Sequence, residues 1–100
     1  MVGMRINWSK RAVIQRILQE RWLVDSCGVE FAQTFNSNID KAVNQIALMP
    51  NIGQKEKTTL DGKHVRSVLT HPKCRIVYKY DDKTITIIRL RFMMMREKPV

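Results

Sequence analysis

The apolar residues change their spacing once along this chain, near residue 62, and the change limits the folds open to it. Val13, Ile14, Ile17, Leu18 and Trp22 recur three and four residues apart, as do Phe31, Ala32, Phe35, Ile39, Ala42, Val43, Ile46 and Met49. Each set forms one stripe on an α-helix, where about 3.6 residues complete a turn. Ser9 suits the first position, because its hydroxyl can accept a bond from an otherwise unpaired N–H. Asp25-Ser26-Cys27-Gly28 interrupts the pattern and offers Asp25 or Ser26 as cap of a second helix, from about Val29 to Met49, which Pro50-Asn51-Ile52-Gly53 stops. Gln54 to Gly62 is polar and lysine-rich, hence a loop. Three strand-like runs follow: His64–Thr70, Cys74–Tyr80 and Thr84–Phe92. His71-Pro72-Lys73 and Asp81-Asp82-Lys83 between them carry turn chemistry. Arg5-Ile6-Asn7-Trp8 alternates and adds a short strand ahead of the first helix.

The order β-α-α-β-β-β places the chain in the α+β class. Two helical stripes must be buried, and one face of the sheet is the large partner available. The expected architecture is a helical hairpin packed on one face of a mostly antiparallel twisted sheet, formed as a single domain over residues 1–100. Residues 1–4 read as an extension, with Met4 an alternative first residue, and residues 93–100 as a flexible tail. Trp8, Trp22 and Tyr78 are expected to pack under or between the helices. The opposite face of the sheet is left open and inherits the basic residues of the strands.

Those basic residues are numerous. Lys and Arg total 18 against 9 acids, a formal charge of +9, and most of the excess lies beyond residue 50. Such a field attracts polyanions: nucleic acid, an acidic protein or an anionic membrane. No apolar run approaches the ~20 residues that span a bilayer, and no secretory signal is evident, so a cytoplasmic protein with reduced thiols is expected. Cys27 and Cys74 then read as small buried apolar groups. His64 and His71 are the only histidines. Either has the chemistry of a base near neutral pH, and both read as surface residues. His71 and Cys74 supply too few ligands for zinc, so neither metal nor cofactor is expected.

Five stretches, in this order, resemble the RelE/ParE superfamily of toxins from type II toxin–antitoxin systems, the plasmid-stabilisation type. Asn7-Trp8-Ser9-Lys10-Arg11-Ala12 is similar to the family's opening, a strand running into a Ser-capped helix. Ile46-Ala47-Leu48-Met49-Pro50-Asn51-Ile52-Gly53 resembles its helix exit. Gly62-Lys63-His64-Val65-Arg66-Ser67 looks like its Gly–Val–Arg strand, and Cys74-Arg75-Ile76-Val77-Tyr78-Lys79-Tyr80 like its Arg-hydrophobic-hydrophobic-Tyr strand. Arg91-Phe92 to Arg96-Glu97-Lys98-Pro99 is similar to a subfamily ending in Arg-Gln-Asn-Pro. The ending departs from the pattern: Met94 stands where that subfamily carries Asp, and the His of other branches falls near Phe92.

The resemblance implies a toxin neutralised by an acidic antitoxin from an adjacent gene. The mode of action it leads to expect is that of a metal-independent, ribosome-associated mRNA endoribonuclease, with a non-enzymatic inhibitor of the gyrase type as the alternative. A non-toxic nucleic-acid-binding domain with this fold is the third possibility. For the ribonuclease, Arg75 and Arg96 match the family's strand and C-terminal arginines, and a guanidinium fits phosphate bidentately. Lys55, Lys57, Lys63, Arg66, Lys79, Arg89 and Arg91 are candidates for nucleic-acid contacts. Strict alternation places Arg89 and Arg91 on one face of the last strand together with Ile85 and Ile87, which would leave that face partly packed.

Overall fold

A computed structural model describes residues 4–56 and 64–93. It contains β1 (Arg5–Trp8), α1 (Lys10–Cys27), α2 (Val29–Leu48), a 3₁₀ turn (Pro50–Ile52), β2 (Gln54–Lys55), β3 (His64–His71), β4 (Cys74–Tyr80) and β5 (Thr84–Phe92). The sheet order is β1-β5-β4-β3-β2, with β1 parallel to β5 and the remaining pairs antiparallel. The expected helical hairpin on a mostly antiparallel sheet is therefore the fold. One element was not foreseen: the start of the polar stretch after Gly53 is the short strand β2, paired with Ser67 and Arg66 of β3.

Ser9 accepts a bond from the Ala12 N–H and caps α1. The helix then continues through Cys27, so Asp25 and Ser26 lie within it and neither caps α2. The chain reverses at Gly28, whose φ of 97° is a conformation that L side chains rarely adopt. Its N–H closes α1 on the carbonyls of Leu23 and Val24.

The stripe of α2 is buried as expected at Ala32, Phe35, Ile39, Ala42, Val43 and Ile46, with Phe31 and Met49 left exposed at its ends. The stripe of α1 is not. Val13, Ile14, Ile17 and Leu18 are 42–52% exposed, and the helix buries Ala12, Gln19 and Leu23 instead. The reason lies in what α1 covers. β1 pairs only with Thr84–Ile87, so the rest of β5 has no strand on that side. Its backbone groups need polar partners there. The Ser9 hydroxyl donates to the Ile88 carbonyl at 2.7 Å, and Gln15 Oε1 accepts from the Leu90 N–H at 2.8 Å. A helix face carrying glutamines serves that edge; a purely apolar face would leave it unpaired. Cys27, expected inside, is exposed at the end of α1, while Cys74 is buried, where burial pushes its thiol pKa up.

The core lies between α2, α1 and one face of the sheet, around Cys74, Ile76, Tyr78, Ile85, Ile87 and Leu90. Trp8 and Trp22 pack against it, as expected. Tyr78 is fully buried. Its hydroxyl donates to the Pro50 carbonyl at 2.6 Å and accepts from the Gly53 N–H at 3.1 Å. Gly53 is required for room: a Cβ there would lie 2.7 Å from the Ser67 carbonyl oxygen and 2.8 Å from the Tyr78 hydroxyl. This explains the Pro-Asn-Ile-Gly exit in physical terms. The turn is pinned against β3 and β4, and it aims β2 along the edge of the sheet.

A cationic face with a carboxylate at its centre

The face of the sheet away from the helices is built by a change of parity in β5. Val77 pairs with Arg89, but Tyr78 pairs with Ile87, so Ile88 is an extra residue. A bulge of this kind shifts every later side chain to the opposite face. Ile85 and Ile87 therefore enter the core, while Arg89 and Arg91 face out beside Val77 and Arg75. The expectation that the isoleucines share the arginine face is corrected by that one residue, and the face is more cationic for it.

Across the sheet, one row runs Gln54, Ser67, Val77, Arg89, and the next runs Leu69, Arg75, Arg91. Arg75 and Arg91 are direct cross-strand neighbours, a like-charge pairing that is unfavourable unless an anion lies between. Glu56, just past β2, supplies one. Its Oε1 accepts from Arg91 Nη2 at 2.9 Å, and its Oε2 accepts from the Ser67 hydroxyl at 2.6 Å. Arg75 Nη1 donates to the same Ser67 oxygen at 3.0 Å, and its Nη2 reaches Gln54 Oε1 at 3.4 Å. The Ser67 hydroxyl bond, then Arg91, hold the Glu56 carboxyl below its ordinary pKa, with Arg75 adding to the effect. Under this network Ser67 and Val77 are 1% and 3% exposed. Among the described residues no helix lies over them, and Ser67 bonds to both Glu56 and Arg75.

Of the residues singled out from sequence, Arg75, Arg89, Arg91 and Lys79 lie on this face. Arg66 does not. It pairs with Tyr78 on the helix side, and its Nη1 donates to the Gly53 carbonyl at 2.7 Å. It therefore fastens the turn and is not placed to meet a ligand on the open face. Lys55 is exposed opposite Arg66. Lys57, Lys63 and Arg96 lie outside the described residues. His71 packs its ring against Phe31 and Phe35 on the helix side, and its Nδ1 accepts from the Lys73 N–H. Glu56 was missed. Among the many charges of a lysine-rich stretch, nothing local distinguishes the carboxylate that crosses the sheet; only the β2–β3 register does. Among the described residues, no group of three metal-ligating side chains forms, and no helix is long and apolar enough to cross a membrane.

A second polar feature lies between α1 and β5. Gln15, Leu18, Gln19, Leu90 and Phe92 line a pocket of ≈ 180 Å³. Gln19 is 2% exposed, and neither its Oε1 nor its Nε2 has a hydrogen-bond partner.

Comparison with solved structures reproduces the whole architecture. The chromosomal ParDE toxin–antitoxin system from P. aeruginosa contains a chain 21% identical with a TM-score of 0.73, over 91% of this chain and 97% of that one. The YoeB dimer from Staphylococcus aureus is 20% identical with a TM-score of 0.60, over 91% and 98%. In the E. coli DinJ–YafQ toxin–antitoxin complex the matching chain is 13% identical with a TM-score of 0.59, over 91% and 93%. At these identities the likeness is one of fold. No curated protein sequence matches significantly. Residues 6–96, however, match the family described as the ParE toxin of the type II toxin–antitoxin system parDE. The chain is a member of that family, a type II toxin of the ParE/RelE superfamily.

Proposed function

We propose that this toxin arrests growth by binding its target, as the gyrase-directed branch of the superfamily does, and that an acidic antitoxin from an adjacent gene neutralises it. The observation that carries the reading is the state of Glu56. Cleavage of RNA through its 2′-hydroxyl needs one group that takes a proton near neutral pH and another that gives one. The carboxylate among the arginines is held charged by Ser67 and Arg91, which makes it a poor proton acceptor. His71, the histidine whose side chain is described, is turned to the helix side. What the open face offers is fixed positive charge, and fixed charge is a binding device. The match to the ParE family points the same way.

One observation favours the ribonuclease as a second reading. Arg75 and Arg91 face each other across adjacent strands with a carboxylate in reach, an arrangement able to stabilise charge on a pentavalent phosphorus.

The antitoxin has a surface that suits it. Val13, Ile14, Ile17 and Leu18 expose a contiguous apolar stripe on α1, of the kind an amphipathic helix covers. The related DinJ–YafQ structure is itself a toxin–antitoxin complex. Opposite charge would speed association and make its rate fall with salt.

The test is induced expression in bacteria, followed by two readouts on the same culture. Accumulated gyrase–DNA breaks with unchanged messenger RNA are expected. New cuts in ribosome-bound messenger RNA, seen by primer extension, would overturn the binding mode in favour of the ribonuclease.

A further inference from the structure

We propose that the pocket between α1 and β5 binds a small neutral ring carrying a lactam edge, an N–H donor beside a C=O acceptor, and that Gln19 recognises that edge. Gln15 and Gln19 stand one turn apart on α1, and Leu18, Leu90 and Phe92 complete the walls. The two glutamines are used differently. Gln15 Oε1 accepts from the Leu90 N–H at 2.8 Å and ties the helix to the strand. Gln19 is 2% exposed, and among the described residues neither its Oε1 nor its Nε2 meets a partner. A buried amide with both ends unpaired is costly, and native structures rarely keep one without a reason. This one lines a space of ≈ 180 Å³, and a cavity of about 150 Å³ is enough to hold a benzene ring.

The lining selects the class of ligand. Among the described residues no charged side chain borders the pocket, so an ion entering it would lose its hydration without compensation. The ligand is therefore neutral. Gln19 presents an acceptor and a donor side by side. A lactam satisfies both at once: its N–H donates to Oε1, and its C=O accepts from Nε2. A ketone lacks the donor, and an amine is charged at neutral pH. Three apolar walls call for a ring behind that edge. The Phe92 ring is held edge-on by Trp22 and Phe35, at centroid distances of 6.0 and 5.4 Å, and gives a planar ligand an aromatic neighbour. Water is the weaker occupant. The space would take about six molecules at their liquid volume, each needing two to four polar partners, more than one free amide supplies. Leu18 reaches solvent and marks the entrance. The site lies on the helix side, away from the arginine face, so the inference does not depend on which target the toxin binds.

The probe is 2-pyridone, a six-membered lactam, titrated into the full chain, with benzene as the ring that lacks the edge. For a ligand this small a Kd on the order of 1 mM is expected. At about twenty times that concentration the Tm should rise by several degrees. Benzene should bind at least about tenfold more weakly, because it leaves Gln19 unpaired. Gln19→Leu removes the amide and keeps a side chain of similar size. It should weaken 2-pyridone by about tenfold or more and tighten benzene, so that the preference reverses. A wild type that binds 2-pyridone no better than benzene, or a folded Gln19→Leu protein that keeps the wild-type preference, would overturn the proposal. Should that variant fail to fold, wild type gives the second measurement. 2-Pyridone should shift the side-chain amide signals of Gln19 in nuclear magnetic resonance and leave those of Gln54 in place; no selective shift would overturn the site. Gln19 signals that move only when the antitoxin is added would assign the pocket to a side chain of that partner, and would overturn it equally.

Discussion

Tyr78→Phe should be far more damaging than the loss of one oxygen suggests, because that oxygen serves two backbone groups in a buried place. The ring is fully buried, and the hydroxyl donates to the Pro50 carbonyl and accepts from the Gly53 N–H. Removing it leaves an N–H and a C=O without partners. A buried polar group left unpaired costs about 1–3 kcal/mol. Gly53 is buried and Pro50 only partly so, which sets the expected total at about 2–4 kcal/mol. Against the 5–15 kcal/mol of a typical domain this is a large share, corresponding to a fall in Tm of roughly 10 °C or more. Urea unfolding followed by far-ultraviolet circular dichroism measures it, with an unchanged m-value confirming that the native state remains compact. A second arm uses pH. Burial raises the Tyr78 pKa above its usual value of 10, partly offset by the Gly53 bond and the Arg66 charge. The folded state thus holds the phenol proton more tightly than the unfolded chain does. Its contribution is complete below about pH 10 and is lost as the pH rises toward the folded value. Wild type should lose stability in that alkaline window more steeply than Tyr78→Phe. A loss below about 1 kcal/mol together with parallel alkaline profiles would refute the claim that Tyr78 pins the turn that aims β2 and Glu56.

Ser9→Ala removes the cap of α1 and the donor to the Ile88 carbonyl together; a loss of about 1–2 kcal/mol in chemical denaturation is expected. Gln19→Leu replaces a buried amide that has no partner and should stabilise the free toxin by about 1 kcal/mol, read as a higher Tm in calorimetry. Glu56 has a lowered pKa, so its contribution is present above its unfolded value of about 4.5 and is lost as the pH falls through the folded one. An acid titration of stability should be flatter for Glu56→Gln than for wild type in that range.

Much of this architecture could be read from residue patterns, and what could not has specific causes. The α2 stripe was legible because its partner is the apolar face of a sheet, which asks for hydropathy alone. The α1 stripe misled because that helix covers a strand edge, where Gln15 and Ser9 matter more than Ile14 and Ile17. Arg89 and Arg91 were legible as a pair, but their face was not. The bulge at Ile88 is invisible to a two-residue period, since every residue around it has strand character. Arg66 and Arg75 look alike in sequence, each flanked by strand residues. Only the β3–β4 register separates the one that clasps Gly53 from the one that meets Ser67. Glu56 acquires its role from contacts 11 and 35 residues away, which no local motif records.

The central claim is that the open face of this toxin is a binding surface and not a cutting one. Purified protein, free of antitoxin, should be added to gyrase with plasmid DNA and, from the same preparation, to ribosomes carrying a defined messenger RNA. The account predicts trapped gyrase–DNA breaks that increase with toxin concentration, and messenger RNA that stays full length. Messenger RNA cut on the ribosome, with gyrase unaffected, would contradict it.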